Sequence, residues 1–270
     1  MKITFIGGGN MASALIGGLL KQGFPHADIK AVEPLAENRD RLAATFGIPC
    51  FMWPEPSAIE CDVLVLSVKP QQMREALAPM SGNLGSQLVI SIAAGTRLGD
   101  ISRWLGGYQK VVRTMPNTPA LIGAGITGLY ADPSVTGDER RQAEKIMGAV
   151  GKTLWIAEEP MMDAVTAVSG SGPAYVFYFI ESLRDAARNL GFTDEQARAL
   201  AIETVVGAAA LAADSKEDVA VLRQRVTSKG GTTEAALKSL DADQVKAAFV
   251  RAIDAANARG KELGELLGKD

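Results

Sequence analysis

The sequence has few of the side chains on which many enzymes depend: one histidine, His26, and two cysteines, Cys50 and Cys61, among 270 residues. The cysteines form no CxxC pair and are too few for a disulfide framework. We therefore expect two small buried thiols in a reducing compartment, and no metal site. Histidine often serves as an acid or base, but His26 lies in the turn-like segment GFPHAD and is a poor candidate for that role.

An excess of charge is also missing, because the formal net charge is −3 and both signs are dispersed along the chain. This distribution gives no support for a nucleic-acid partner. No signal peptide precedes the first strand-like segment, residues 2–6. The apolar stretch 197–213 is interrupted by Arg198 and Glu203 and is short for a membrane span of about 20 residues. We expect a cytoplasmic protein that binds neither nucleic acid nor a membrane.

Short apolar runs rich in β-formers alternate with helical patterns up to about residue 155. This alternation implies right-handed βαβ crossovers. We therefore predict a Rossmann-like, doubly wound α/β sheet within a domain of residues 1–158. The predicted strands are 2–6, 29–33, 63–68, 88–93, 110–114, 125–130 and 152–156, and the predicted helices are 11–21, 35–46, 71–78, 98–105 and 137–150.

The pattern changes after Glu158-Glu159-Pro160, beyond which no convincing strand follows. Long helices are predicted at 173–190, 193–213 and 243–267, so residues 159–270 are assigned to an all-helical domain. The helix over 197–213 is apolar nearly all round, which argues for complete burial. A small domain offers little interior for such a helix, and we therefore expect burial against a second subunit.

A glycine-rich loop follows the first predicted strand and opens a helix, in the strand–loop–helix context that a dinucleotide requires. It fits G-x-G-x-x-G/A: the first glycine makes a tight turn, the second admits a pyrophosphate, and the small third residue allows close packing of helix on strand. Free N–H groups at the helix start would face the phosphates. The candidate cofactor residues are Gly7, Gly8, Gly9, Asn10, Met11 and Ala12.

An acidic residue, Glu33, ends the second predicted strand. At this place an acid can accept hydrogen bonds from the ribose 2′-OH, which favours NAD(H). The alternative is that Glu33 is only solvated and that Asn38 or Arg39 holds a 2′-phosphate. Both interpretations stay open on the sequence.

Three later loops also follow predicted strands, at the edge where ligands bind in open α/β sheets. Lys69 could face a phosphate or cap its strand, and Asn117 could fix the nicotinamide or shape a turn between two prolines. The candidate cofactor residues in these loops are Val68, Lys69, Pro70, Ala93, Ala94, Gly95 and Asn117.

Two loops of small residues, 169–175 and 226–234, each run into a helix in the second half of the chain. Free N–H groups and hydroxyls at a helix start suit a carboxylate. The alternative is ordinary N-capping. Capping needs one hydroxyl, however, and the segment TSKGGTT supplies four together with two glycines. We favour a ligand site, with the candidate residues Ser171, Ser228, Gly230, Gly231, Thr232 and Thr233.

At this point the sequence resembles pyrroline-5-carboxylate reductases along essentially the whole chain. The resemblance is carried by IGGGNMA at 6–12, SVKP at 67–70, RTMPNTP at 113–119, SGSGPAY at 169–175 and VTSKGGTTEAAL at 226–237. The last two segments are highly specific for this family.

The resemblance implies hydride transfer from NADPH or NADH to the C=N carbon of 1-pyrroline-5-carboxylate, giving L-proline. It implies that the loop from Ser228 to Thr233 holds the substrate carboxylate through backbone N–H groups, with the Thr233 hydroxyl near the ring nitrogen. It further implies an interlocked homodimer, in some members assembled into a pentamer of dimers. Many members favour NADPH, whereas Glu33 would repel a 2′-phosphate, so both cofactors are kept.

The chemistry agrees with the scarcity of histidine. A cyclic imine is partly protonated near neutral pH, and an iminium already accepts a hydride, so a hydroxyl or water can manage the proton. Two rival functions fit less well. A β-hydroxyacid dehydrogenase would need a lysine on the interdomain helix, yet none lies between Lys152 and Lys216. A non-catalytic binding protein would have a damaged substrate loop, and this loop is intact.

Overall fold

The computed structural model describes residues 1–269 and divides into two compact units. The first unit comprises Met1–Ser171 together with the chain from Ala256 onward, and the second comprises Gly172–Ala255. The division predicted from the sequence, 1–158 and 159–270, remains a prediction about domains.

Eight strands form one sheet in the first unit, in the order β3-β2-β1-β4-β5-β6-β7-β8. The order of β1 to β6 is that of a Rossmann sheet, which confirms the predicted fold class. All neighbours pair in parallel except β6 and β7, which are antiparallel because no crossover helix separates them. The strands are β1 Ile3–Ile6, β2 Ile29–Val32, β3 Cys50–Phe51, β4 Val63–Leu66, β5 Leu88–Ser91, β6 Val111–Met115, β7 Gly125–Ala131 and β8 Gly151–Trp155.

Helices cover both faces of this sheet. The strand β4 is buried on both sides, which explains why its sequence is continuously apolar. Val63 and Val65 enter one buried cluster, while Leu64 and Leu66 enter the cluster on the opposite face. Because successive side chains of a strand point to opposite faces, burial on both sides requires an unbroken apolar run. The helices of this unit are α1 Asn10–Lys21, α2 Ala36–Phe46, α3 Pro56–Ile59, α4 Met73–Leu77, α5 Leu98–Trp104, α6 Gly137–Met147 and α7 Met161–Val165.

The second unit is built from helices, and no strand occurs in it, as predicted. Thr193 starts α9 with a capping box, in which its hydroxyl accepts from Gln196 N and the Gln196 side chain accepts from Thr193 N. The rings of Tyr175 and Phe179 each form a T-shaped pair with the ring of Phe249. The helices are α8 Gly172–Asn189, α9 Asp194–Asp214, α10 Val219–Arg225, α11 Thr232–Ala242 and α12 Val245–Leu267, the last of which continues into the first unit.

The apolar helix α9 is largely exposed in the single chain, where only Ala197 and Ala201 on it are buried. The complete burial predicted from its sequence is therefore not achieved within one chain. Leu200, Val206 and Leu211 present their side chains to solvent. Among the described residues α9 is also the one helix whose length and composition would allow it to cross a membrane.

The end of α12 packs against the loop that follows β5. A Cβ on Gly264 would lie 3.2 Å from Gly95 O, and a Cβ on Gly95 would lie 3.2 Å from Leu267 Cδ1. Arg103 adds a hydrogen bond of 3.1 Å to Gly268 O. The last turns of the chain thus belong to the first unit because they form one wall of this loop.

The two cysteines are free and half-buried, which corrects the expectation that both are buried. Cys50 lies on the edge strand β3, and Cys61 lies in the turn before β4. Burial raises the pKa of the Cys61 thiol. This thiol therefore stays protonated and unreactive near neutral pH.

A substitution at Gly18 on α1 would test how closely this helix packs against the backbone at Ala149. A Cβ at Gly18 would lie 2.5 Å from the backbone oxygen of Ala149. We expect Gly18→Ala to lower the free energy of unfolding by about 1–3 kcal/mol, because backbone must shift to relieve the overlap. The drop should appear as a lower Tm in thermal unfolding.

The matched control is Gly260→Ala, also in a helix interior, where the nearest atom to the new Cβ would be 3.7 Å away. Both changes raise helix propensity, so only the steric term differs. Equal Tm values for the two variants would contradict the packing described for Gly18.

Candidate functional site

The glycine loop follows β1 where the strand order reverses, between β1 and β4. Gly7 has φ +101°, and a Cβ there would lie 2.7 Å from Ser67 O. A Cβ at Gly8 would lie 2.5 Å from Leu42 Cδ1. The Ser67 hydroxyl holds the same turn through hydrogen bonds to Ile6 O and Gly7 O. The fold itself therefore requires glycine at Gly7, where backbone blocks a Cβ, whereas a side chain at Gly8 would first displace the tip of Leu42.

Gly9 differs from its neighbours, because a Cβ there would meet nothing within 4 Å. Its φ of −71° is accessible to any residue. Gly9 is the N-cap of α1, and no side chain caps the helix. The first intrahelical bond is donated by Ser13 N to Gly9 O, so the N–H groups of the first turn point outward. Open space in front of a helix N-terminus suits a phosphate.

Ala12, the third small residue of the motif, is fully buried on α1. This agrees with the role expected for it, which is to let the helix approach the sheet closely. Asn10 and Met11 supply backbone at the start of the helix. The structure thus gives a steric reason for the small residues Gly7 and Ala12, whereas nothing in the protein itself excludes a side chain at Gly9.

The Glu33 carboxylate is 6% exposed and lies against the glycine loop. Its Oε2 accepts a hydrogen bond of 2.8 Å from Gly8 N, and its Oε1 accepts one of 3.0 Å from Leu35 N. The Arg39 guanidinium donates to Glu33 O and Pro34 O. Glu33 therefore holds the glycine loop and places a negative charge beside it.

A cleft of about 530 Å³ opens along this edge of the sheet. It brings together six of the residues predicted from the sequence: Gly7, Gly8, Gly9, Glu33, Val68 and Lys69. Asn38, weighed as an alternative, also lines it. The predicted residues outside its lining are Asn10, Met11, Ala12, Pro70, Ala93, Ala94, Gly95 and Asn117.

Sequence reasoning missed several residues of the cleft wall. They include Met52, Trp53 and Pro54, which follow β3. A strand of two residues gives no periodic signal, so neither β3 nor the loop after it could be found from the pattern. The remaining lining residues that were not predicted are Ile6, Val32, Pro34, Leu35, Ser67, Gln72, Glu75, Ala76 and Pro79.

Asn117 uses both ends of its amide on backbone groups. Its Nδ2 donates to Ser169 O at 3.1 Å, and its Oδ1 accepts from Ile126 N at 3.0 Å. The side chain thus ties the loop after β6 to the segment that leads into α8. These bonds are the structural role that the sequence left open, and a contact with the nicotinamide stays a prediction.

In the second unit the loop before α11 has the features of an anion site. The N-cap of α11 is Gly231, and no side-chain hydroxyl caps the helix, so the capping alternative is not observed here. A Cβ on Gly231 would lie 2.7 Å from Ser228 Oγ. The N–H groups of Thr232 and Thr233 open the first turn and have no intrahelical partner.

Two backbone N–H groups of this loop already have hydrogen-bond partners within the same segment of the chain. Gly230 has φ +76°, and its N–H donates a hydrogen bond of 2.7 Å to Glu234 Oε2. Gly231 N donates to Ser228 O. The N–H groups of Gly230 and Gly231 are therefore used within the loop, whereas those of Thr232 and Thr233 and the hydroxyls of Ser228, Thr232 and Thr233 are donors that could meet a ligand carboxylate.

Two family models match parts of the chain. Residues 159–263 match the model described as pyrroline-5-carboxylate reductase dimerisation. Residues 2–95 match the model described as NADP oxidoreductase, coenzyme F420-dependent.

Similar proteins extend over nearly the whole chain. A pyrroline-5-carboxylate reductase of Pseudomonas aeruginosa is 47% identical over 99% of this chain and 98% of its own. The solved structure of a pyrroline-5-carboxylate reductase from Coxiella burnetii is 41% identical, with a TM-score of 0.92 over 97% of this chain and 98% of that one. The Plasmodium falciparum pyrroline carboxylate reductase with NADP bound is 31% identical, with a TM-score of 0.87 over 98% of both chains. This chain belongs to the pyrroline-5-carboxylate reductase family.

Proposed function

We propose that this protein reduces 1-pyrroline-5-carboxylate to L-proline with NADPH or NADH, the last step of proline biosynthesis. The proposal rests on similarity to pyrroline-5-carboxylate reductases over 99% of the chain. The chain is an NAD(P)H-dependent oxidoreductase by family. The experiment that tests the proposal is a steady-state assay with the imine substrate and each cofactor in turn.

The dinucleotide would be held by the glycine loop of the first unit. The open space at Gly9 admits the pyrophosphate, and the first turn of α1 (Asn10, Met11 and Ala12) faces its charge. Glu33 would contact the adenosine ribose, and Lys69 would face phosphate beside Val68 and Pro70. The loop of Ala93, Ala94 and Gly95 and the side chain of Asn117 would border the nicotinamide.

The substrate carboxylate would be held by the start of α11. The N–H groups of Thr232 and Thr233 and the hydroxyl of Ser228 provide donors, while Gly230 and Gly231 keep the loop free of side chains. Ser171 provides a further hydroxyl at the start of α8. The Thr233 hydroxyl would meet the ring nitrogen and is the catalytic residue of the proposal.

A bound reduced nicotinamide supplies the hydride for the imine carbon. The protein's contribution is then to orient the imine and to handle one proton at the ring nitrogen. The hydride adds to the carbon of the C=N bond, and the electron pair of that bond becomes the amine lone pair. If the imine binds protonated, no further proton is needed. If it binds neutral, the Thr233 hydroxyl or a water relayed by it delivers the proton.

We also propose that the protein is a cytoplasmic homodimer, and that dimers assemble further into a decamer. Exposed apolar side chains on α8 and α9 support the dimer, since they would otherwise stay in water. The partner needed is another copy of this chain, and neither a nucleic acid nor a membrane is required.

Gly9→Val tests the pyrophosphate site. The new Cβ would meet nothing within 4 Å, so we expect Tm to fall only slightly, because valine is a poorer N-cap than glycine. The side chain would exclude the pyrophosphate and weaken NADPH binding by more than about tenfold. Calorimetric Kd values and thermal unfolding measure the two effects. Gly99→Val is the control, because Gly99 is equally open and lies outside the cleft. Wild-type affinity in Gly9→Val would count against the site.

Thr233→Ala tests the substrate side. We expect kcat with pyrroline-5-carboxylate to fall by about tenfold or more, because the hydroxyl at the ring nitrogen is lost. The Kd for NADPH should hardly change. Thr233→Ser keeps the hydroxyl and should restore most of the turnover. Full activity in Thr233→Ala would remove Thr233 from the mechanism.

Glu33→Gln tests cofactor preference. Glutamine keeps the length of the side chain and an acceptor for one of the two N–H groups, Gly8 N or Leu35 N, and it removes the charge that would repel a 2′-phosphate. A Tm measurement shows what the loss of the other hydrogen bond costs. We expect the ratio of kcat/KM for NADPH to that for NADH to rise by about tenfold, and most strongly at low salt. The control is Glu37→Gln, an exposed acid four residues along. If the ratio does not move, Glu33 does not face the ribose.

A further inference from the structure

We propose that the indole of Trp53 is a platform on which the adenine ring of the bound dinucleotide stacks. The inference rests on the proposed function only in requiring a dinucleotide in the cleft. It assigns a role to a residue that lies outside every motif of the sequence.

The first observation is a group of exposed apolar side chains along one wall of the cleft. Trp53 is 61% exposed and Leu35 is 64% exposed, and both line the cleft that contains Gly7–Gly9. Met52 and Pro54 line the same wall. The other two tryptophans, Trp104 and Trp155, are half-buried and lie outside the cleft. Large apolar side chains left open beside a phosphate loop suit a flat, apolar-faced ligand group.

The second observation is the position of Trp53 along the sheet edge. The order β3-β2-β1 places the ends of three parallel strands side by side. Gly7 follows β1, Glu33 follows β2, and Trp53 lies two residues beyond the end of β3. A dinucleotide with its pyrophosphate at the glycine loop and its adenosine ribose at Glu33 would extend in the direction of Trp53. The adenine is the next group along that path.

The loop that carries Trp53 is held by backbone hydrogen bonds. Glu33 N donates to Phe51 O at 2.9 Å, which fixes the end of β3 to the end of β2. Glu55 N donates to Trp53 O at 2.9 Å, which closes the turn after the indole. The backbone that carries the indole is therefore held by the protein itself, so only the side chain would have to be ordered on binding.

Stacking on Trp53 would be distinct from any ion pair with the two guanidiniums near this end of the cleft, which donate to backbone carbonyls. The Arg39 guanidinium is bonded to Glu33 O and Pro34 O, and that of Arg41 donates to Gly8 O. Glu33 adds a negative charge. Since NADH and NADPH carry the same adenine, a stacking platform would serve both equally, whereas a residue that recognises the 2′-phosphate would serve only one.

The experiment compares Trp53→Ala, Trp53→Phe and Trp104→Phe, with ADP, NADH and NADPH as ligands in calorimetry. For Trp53→Ala we expect a loss of affinity of about 5- to 100-fold for all three ligands, by the same factor for NADH and NADPH. Trp53→Phe should stay within about threefold of the wild type, because a ring remains. Trp104→Phe should bind normally. Unchanged Tm values would show that the variants are folded.

Tryptophan fluorescence supplies a readout independent of turnover. ADP should quench the emission of the wild type and of Trp104→Phe, and should leave that of Trp53→Phe unchanged. Wild-type affinity for ADP in Trp53→Ala, or a loss confined to NADPH, would overturn the proposal. A protein that binds ADP through Trp53 but does not turn over pyrroline-5-carboxylate would overturn the reductase assignment and leave the platform standing.

Discussion

The hydrogen bonds to the buried carboxylate of Glu33 are the interactions on which the shape of the cleft depends. Removing a charge from water is costly unless hydrogen bonds replace the lost hydration, and here Gly8 N and Leu35 N supply two of them. The bond from Gly8 N joins the loop after β1 to the loop after β2, and the bond from Leu35 N lies within the latter loop. The shape of the glycine loop is thus set by the protein alone. A pyrophosphate would meet donors already in place, which lowers the entropic cost of binding.

Much of this architecture could be predicted from the sequence, because its signals are local. The continuous apolar run of β4 and the small residues at Gly7, Gly9 and Ala12 each follow from a steric rule that applies wherever the fold occurs. The strand β3 could not be predicted, since two residues show no alternation. The loop after β3, which bears Trp53, could therefore not be predicted either. The wall of the cleft formed by Met52, Trp53 and Pro54 was therefore the part that could not be predicted from the sequence.

The helix α9 shows a second limit of sequence reasoning. Its composition indicates burial, yet most of its surface is exposed within one chain. Hydrophobic patterning reports how much surface must leave water, and it does not say which molecule covers that surface. The match of residues 159–263 to a dimerisation model accounts for the apolar face in physical terms. The start of α11 is a different case, because the sequence offered a ligand site and ordinary capping as alternatives. No hydroxyl caps the helix, and the ligand site stays a prediction.

The loop after β5 explains why the last helix belongs with the sheet. Leu98 N, just beyond this loop, donates to Glu159 Oε1 at 2.7 Å, and Glu159 also pairs with Arg113, which is 3% exposed. On its other side the loop meets the backbone of α12 at Gly264, where a Cβ would crowd Gly95 O. Two segments that lie far downstream in the sequence therefore hold a loop of the cofactor edge. A nucleotide-binding unit ended at the last strand would lack both supports, so its loop after β5 would lose the position that the complete chain gives it.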